Sequence, residues 1–110
     1  MNIYDTANKL ASEIKQSEEY LNFKVSKQAI NSNAELKKQI EEFEKSRYEV
    51  QIEMMQTGKQ DEEKMIKMQN DYKNLVSNEE ARKFFEAETK FNIIIADVNK
   101  IIGEAIREVM

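Results

Sequence analysis

The stretch FNIIIADVNKIIGEAI, residues 91–106, sets three isoleucines side by side in a chain that is 35% charged. Its spacing is helical. Ala81, Phe84, Phe91, Ile95, Val98, Ile102, Ala105 and Val109 follow one alternating three-and-four repeat, interrupted only by Glu88. Ile94 and Ile101 flank that seam and widen it, as expected of a helix packed against two neighbours. Ile93 is different: at ~100° per residue it lies nearly opposite the Ile95–Val98 seam. It reads either as an isolated exposed isoleucine, which is ordinary on a protein surface, or as part of a second interface with the N-terminal helices or another subunit. A membrane span is not expected, because such a helix needs roughly 20 mostly apolar residues. Here Glu88 and Lys90 precede the run, and Asp97, Asn99 and Lys100 interrupt it.

Working outward from this stretch, Ser77 and Glu80 have capping-box spacing and predict the start of the last helix. It meets no breaker before Met110 except Gly103, which costs about 1 kcal/mol in a helix interior. Upstream, Leu36, Ile40, Phe43, Val50 and Met54 form a stripe that Ser32 and Glu35 introduce with the same capping-box spacing. Gly58 suits the left-handed turn that closes a helix, and Asp61, Glu62 and Glu63 favour a new N-terminus. Met65, Met68, Tyr72 and Leu75 form the next stripe on the returning helix, which predicts a long antiparallel hairpin reversing at Gly58. At the other end Ile3, Ala7, Leu10 and Ile14 mark one helical face. Ser17 offers an N-cap to a segment carrying Tyr20, Leu21, Phe23 and Ile30, and the first two helices are either separate or fused.

The expectation is an all-α chain of four to five helices, with a long hairpin plus a long C-terminal helix, forming one domain over residues 1–110 and completing its burial as a dimeric helical bundle. Proline is absent and glycine occurs twice, which agrees with that reading.

Composition also narrows the chemistry. With no histidine and no cysteine, the commonest general base, the commonest nitrogen ligand for metals, the thiolate nucleophile and any disulfide are missing. No cofactor, metal site or catalytic residue is expected. The clusters Glu41, Glu42, Glu44 and Asp61, Glu62, Glu63 lack a chelating loop and read as solvated faces or i,i+4 partners. The net charge of −4 is spread along the chain with no basic stripe, so direct nucleic-acid binding is not expected. The opening MNIYDTANKL lacks the continuous apolar core of a secretory signal, and a cytoplasmic location is the default.

Two further patterns carry alternatives. Met54, Met55, Met65 and Met68 gather around Gly58, either filling irregular space where helices splay or offering an adaptable partner surface. Arg47 and Glu88 interrupt apolar stripes, either pairing with each other or lying where both stripes open to solvent.

The segment SEEYLNFKVSKQAINSN at 17–33, followed by LKKQIEEFEKSR at 36–47 and AETKFNIIIADVNKIIGEAI at 87–106, resembles the YlbF/YmcA-like family of small bacterial helical proteins. NIYDTANKL at 2–10 is similar to its YheA-type branch. The resemblance covers nearly the whole chain, and its most specific part is Phe91, Asp97, Val98, Asn99, Ile101 and Ile102 in that order. It implies a cytoplasmic, dimerising helical protein without enzymatic activity. Its relatives act as accessory subunits of a complex that influences endoribonuclease-dependent RNA processing, competence, biofilm formation and sporulation. Relatives can ligate iron–sulfur clusters through cysteines, which this chain does not have.

The functional expectation is therefore a non-enzymatic adaptor or regulator acting through protein contacts, with a second copy and with another bacterial regulatory protein. The alternative is a structural or sequestering protein that binds an apolar ligand or an amphipathic peptide between helices. Phe84, Phe91, Ile93, Ile94, Ile95, Val98, Ile101 and Ile102 are the expected core and interface anchors. Met54, Met55, Met65, Met68, Asp97 and Asn99 form the candidate partner surface.

Overall fold

A computed structural model of the chain describes residues 2–110. Five helices follow one another: α1 (Ile3–Gln16), α2 (Glu18–Asn31), α3 (Ala34–Thr57), α4 (Glu62–Val76) and α5 (Glu79–Ile106), with no strand among the described residues. The all-α expectation holds. The chain divides into two compact units, Gln28–Lys83 and the chain up to Lys27 together with Phe84–Met110, so the division falls inside α2 and near the start of α5.

In the Gln28–Lys83 unit, α3 and α4 form the expected antiparallel hairpin. Gly58 ends α3 with φ of 71°, its N–H donating to the Met54 carbonyl at 2.9 Å. A left-handed residue there reverses the chain at no Cβ penalty. Asp61 then opens α4, its carboxylate accepting from the Glu63 and Lys64 N–H groups at 3.0 and 3.3 Å. Ile30, Leu36, Ile40, Phe43, Leu75 and Ala81 are buried in this unit. Phe43 stacks against Tyr72 with ring centroids 5.7 Å apart, and the Arg47 guanidinium lies 5.7 Å from the Phe43 ring centre.

Both capping boxes expected in the sequence need correction. At the start of α3 the Leu36 N–H donates to the Asn33 side chain at 3.2 Å, while the Ser32 hydroxyl donates backwards to the Gln28 carbonyl. At α5 the Ala81 N–H donates to the Asn78 side chain at 3.1 Å, and the Ser77 hydroxyl donates to the Asn74 carbonyl. In each case an asparagine one residue later outcompetes the serine. The serine hydroxyl is instead used to close the preceding helix.

In the other unit α1 and α2 are separate helices, divided at Ser17. Its hydroxyl donates to the Ile14 carbonyl at 2.7 Å and accepts from the Tyr20 N–H at 3.2 Å, closing one helix and opening the next. Tyr20 then meets Phe91 edge-on at 5.8 Å, and Phe23 lies 5.6 Å from Phe84 and 5.7 Å from Phe91. Residue numbers rise on α2 as they fall on α5, so the two segments run antiparallel. Phe84, Phe85 and Ala87 are buried at this end of α5.

Candidate interaction surface

Along α5, burial changes with position. The aromatic contacts of Tyr20 and Phe23 cover its first half, where Phe84 is buried and Phe91 half-buried. Ile94, Ile95 and Val98 are half-buried as the seam continues. Beyond them the seam emerges into solvent, with Ile102 50% and Val109 85% exposed, and so does its flank, with Ile101 68% exposed. Ile106, which continues the apolar face beside Ile102, is also exposed. Helix α1 does not close this face: none of its side chains is buried, although Leu10 and Ile14 are half-buried.

Ile93 is 55% exposed, opposite the seam, where the helical count puts it. Asp97 and Asn99 are exposed on either edge of the apolar face. The eight expected anchors thus separate into Phe84, enclosed; Phe91, Ile94, Ile95 and Val98, partly covered; and Ile93, Ile101 and Ile102, open to solvent.

A second exposed apolar region surrounds the hairpin tip. Met54 and Met55 are exposed, the latter at 78%, whereas Met65 and Met68 are half-buried. A salt bridge between Lys64 and Glu53, 2.8 Å long, ties the two helices together there. Its hydrogen bond and charge raise the Lys64 pKa above the ordinary lysine value. Tyr48 and Met55, both exposed, and Ile52, half-buried between them, form a second stripe at i, i+7 and i+4 that a single-faced α3 does not account for. The signal was present in the spacing, masked by the stronger stripe on the other side. Between α3 and α4 lies a groove of ≈ 520 Å³ lined by Leu36, Phe43 and Leu75 but also by Glu42, Lys67 and Asp71.

Among the described residues, no group of three or more acidic side chains is placed to hold a metal ion. No helix among them is long and apolar enough to cross a membrane.

From residue 3 to residue 107 the chain matches the family described as Control of competence regulator ComK, YlbF/YmcA. A UPF0342 protein of Clostridium novyi is 36% identical over 106 residues, covering 96% of this chain and 93% of its own length. One from Desulfitobacterium hafniense is 36% identical over 110 residues, covering 100% and 89%. Another, from Bacillus mycoides, is 35% identical over 107 residues, covering 97% and 92%. With the family matched across nearly every helix and these bacterial relatives aligned almost end to end, the chain belongs to the YlbF/YmcA family.

Proposed function

We propose that this protein is a cytoplasmic, non-enzymatic regulator that works by contact between apolar helix faces, first with a second copy of itself and then with another bacterial regulatory protein. The observation that carries this reading is the far half of α5, where Ile101, Ile102, Ile106 and Val109 remain on the surface of the chain. Fully burying one such side chain is worth about 1.5–3 kcal/mol, so covering several together would supply a substantial share of an association free energy. The family description names control of the competence regulator ComK, and the process we assign to this chain is of that kind. Effects on RNA processing, biofilm formation or sporulation fit the same adaptor role.

Sedimentation across a dilution series tests the first step. A dimer is expected to persist at micromolar concentration, and Ile101→Asp to shift the chain to monomer without loss of helical circular dichroism. A wild-type monomer at every concentration would remove the reading. For the second step, a strain lacking the gene is expected to show altered competence-reporter activity, restored by the wild-type chain but not by Ile101→Asp. The observations favour the alternative, an apolar ligand held between helices, less, because polar and charged side chains line much of the hairpin groove. Native mass spectrometry of protein taken directly from cells would reverse that preference if it carried a bound small molecule.

A further inference from the structure

Beside the apolar face of α5 runs a line of four exposed charges at seven-residue steps: Lys83, Lys90, Asp97 and Glu104. Seven residues are close to two helical turns, so these side chains form one stripe along an uninterrupted helix. Their signs run plus, plus, minus, minus. Ile94 and Ile101 border the stripe on one side, and Ile93 borders its middle on the other.

We propose that two copies of the chain join through this stripe with their α5 helices antiparallel, crossing between Lys90 and Asp97. The proposal rests on the self-association proposed above and assigns it a direction, a register and the Ile93, Ile94 and Ile101 side of α5; Ile102, Ile106 and Val109 lie on the other side of the helix, outside this contact, and are left for the other partner. Two such stripes laid side by side in the same direction would set lysine against lysine and acid against acid. Reversed and crossing at that point, Lys90 meets Asp97 of the second copy, Lys83 meets its Glu104, and both contacts repeat by symmetry. A shift by one heptad towards the C-terminus keeps only the Lys90–Glu104 contacts and brings Asp97 against Asp97. The charge order therefore selects one register as well as one direction.

In that register Ile93 and Ile94 of each copy lie at the crossing point, where they meet their own counterparts. Ile93, which has no place on the seam, thereby gains a neighbour. Lys83 already touches Glu79 at 3.2 Å, but that pair is 64% and 69% exposed and readily exchanged.

Charge reversal and cross-linking test this on the full chain. Lys90→Glu and Asp97→Lys should each weaken self-association about tenfold, since every reversal opposes like charges twice. An equimolar mixture of the two variants, or the double variant in one chain, should recover wild-type affinity. Because the chain has no cysteine, single-site oxidative cross-linking is unambiguous. Chains carrying Lys90→Cys and Asp97→Cys should form a mixed disulfide when combined and no homodisulfide when alone. Homodisulfides at position 90 would overturn the antiparallel arrangement while leaving self-association intact, as would a dimer indifferent to all these changes. A wild-type monomer at all concentrations would remove both the arrangement and the reading on which it rests.

Discussion

Asn33 and Asn78 each accept a hydrogen bond from the first turn of a helix, while the serine just before each bonds backwards. Replacing the cap leaves a helical N–H without its partner, whereas replacing the serine loses only a bond at an exposed helix end. Asn33→Ala should therefore lower the unfolding free energy by about 1 kcal/mol. Ser32→Ala should stay within about 0.5 kcal/mol, and the two urea midpoints decide the comparison. The sequence located these helix starts to within one residue. It misplaced the cap because Ser32 and Ser77 match the capping-box pattern equally well, and pattern alone cannot say which of two adjacent oxygens reaches the amide. Gly58 was legible without ambiguity, since its position between two stripes demands a left-handed turn and it has φ of 71°.

At the scale of elements, α3, α4 and α5 were readable because their apolar residues keep a regular step. α2 was harder. Tyr20, Leu21, Phe23 and Ile30 do not share one narrow stripe, and what orders them is the set of partners they meet: Phe23 packs against both Phe84 and Phe91, while Leu21 stays exposed. Phe23→Ala should accordingly cost about 2 kcal/mol, less than a fully enclosed phenylalanine because Phe23 is half-buried. Val25, two residues further along α2 but 64% exposed, should change stability by no more than about 0.5 kcal/mol when shortened to alanine. Thermal or urea unfolding of the two variants checks the ranking. The burial of Phe85 and Ala87 was not legible for a related reason: both lie beside the seam, and periodicity identifies a face without identifying every neighbour that covers it.

For the whole molecule, composition excluded more than it specified. Lacking histidine and cysteine, the chain gives its surface to charge and to apolar helix faces, and those faces state that something should cover them without naming it. If the cover is a second copy, stability must depend on concentration by mass action. A tenfold dilution should lower the melting temperature by a few degrees, and an unchanged midpoint across a hundredfold range would contradict it. The candidate surface was legible as a set of residues. Its division into enclosed and open parts was not, because it depends on where Tyr20 and Phe23 stop covering α5.

Ser17 leaves the chain no slack. One hydroxyl serves both as the last anchor of α1 and the first of α2, so an added or deleted residue at that junction has nowhere to be absorbed. It would turn Leu10 and Ile14 through roughly a quarter of a circle relative to Tyr20 and Phe23. Residues 58–61, by contrast, are exposed and bonded only locally, so extra length there would loop outward. Length variation in this fold is thus steered to the hairpin tip, and a reporter peptide grafted at the tip should leave the N-terminal helices in phase.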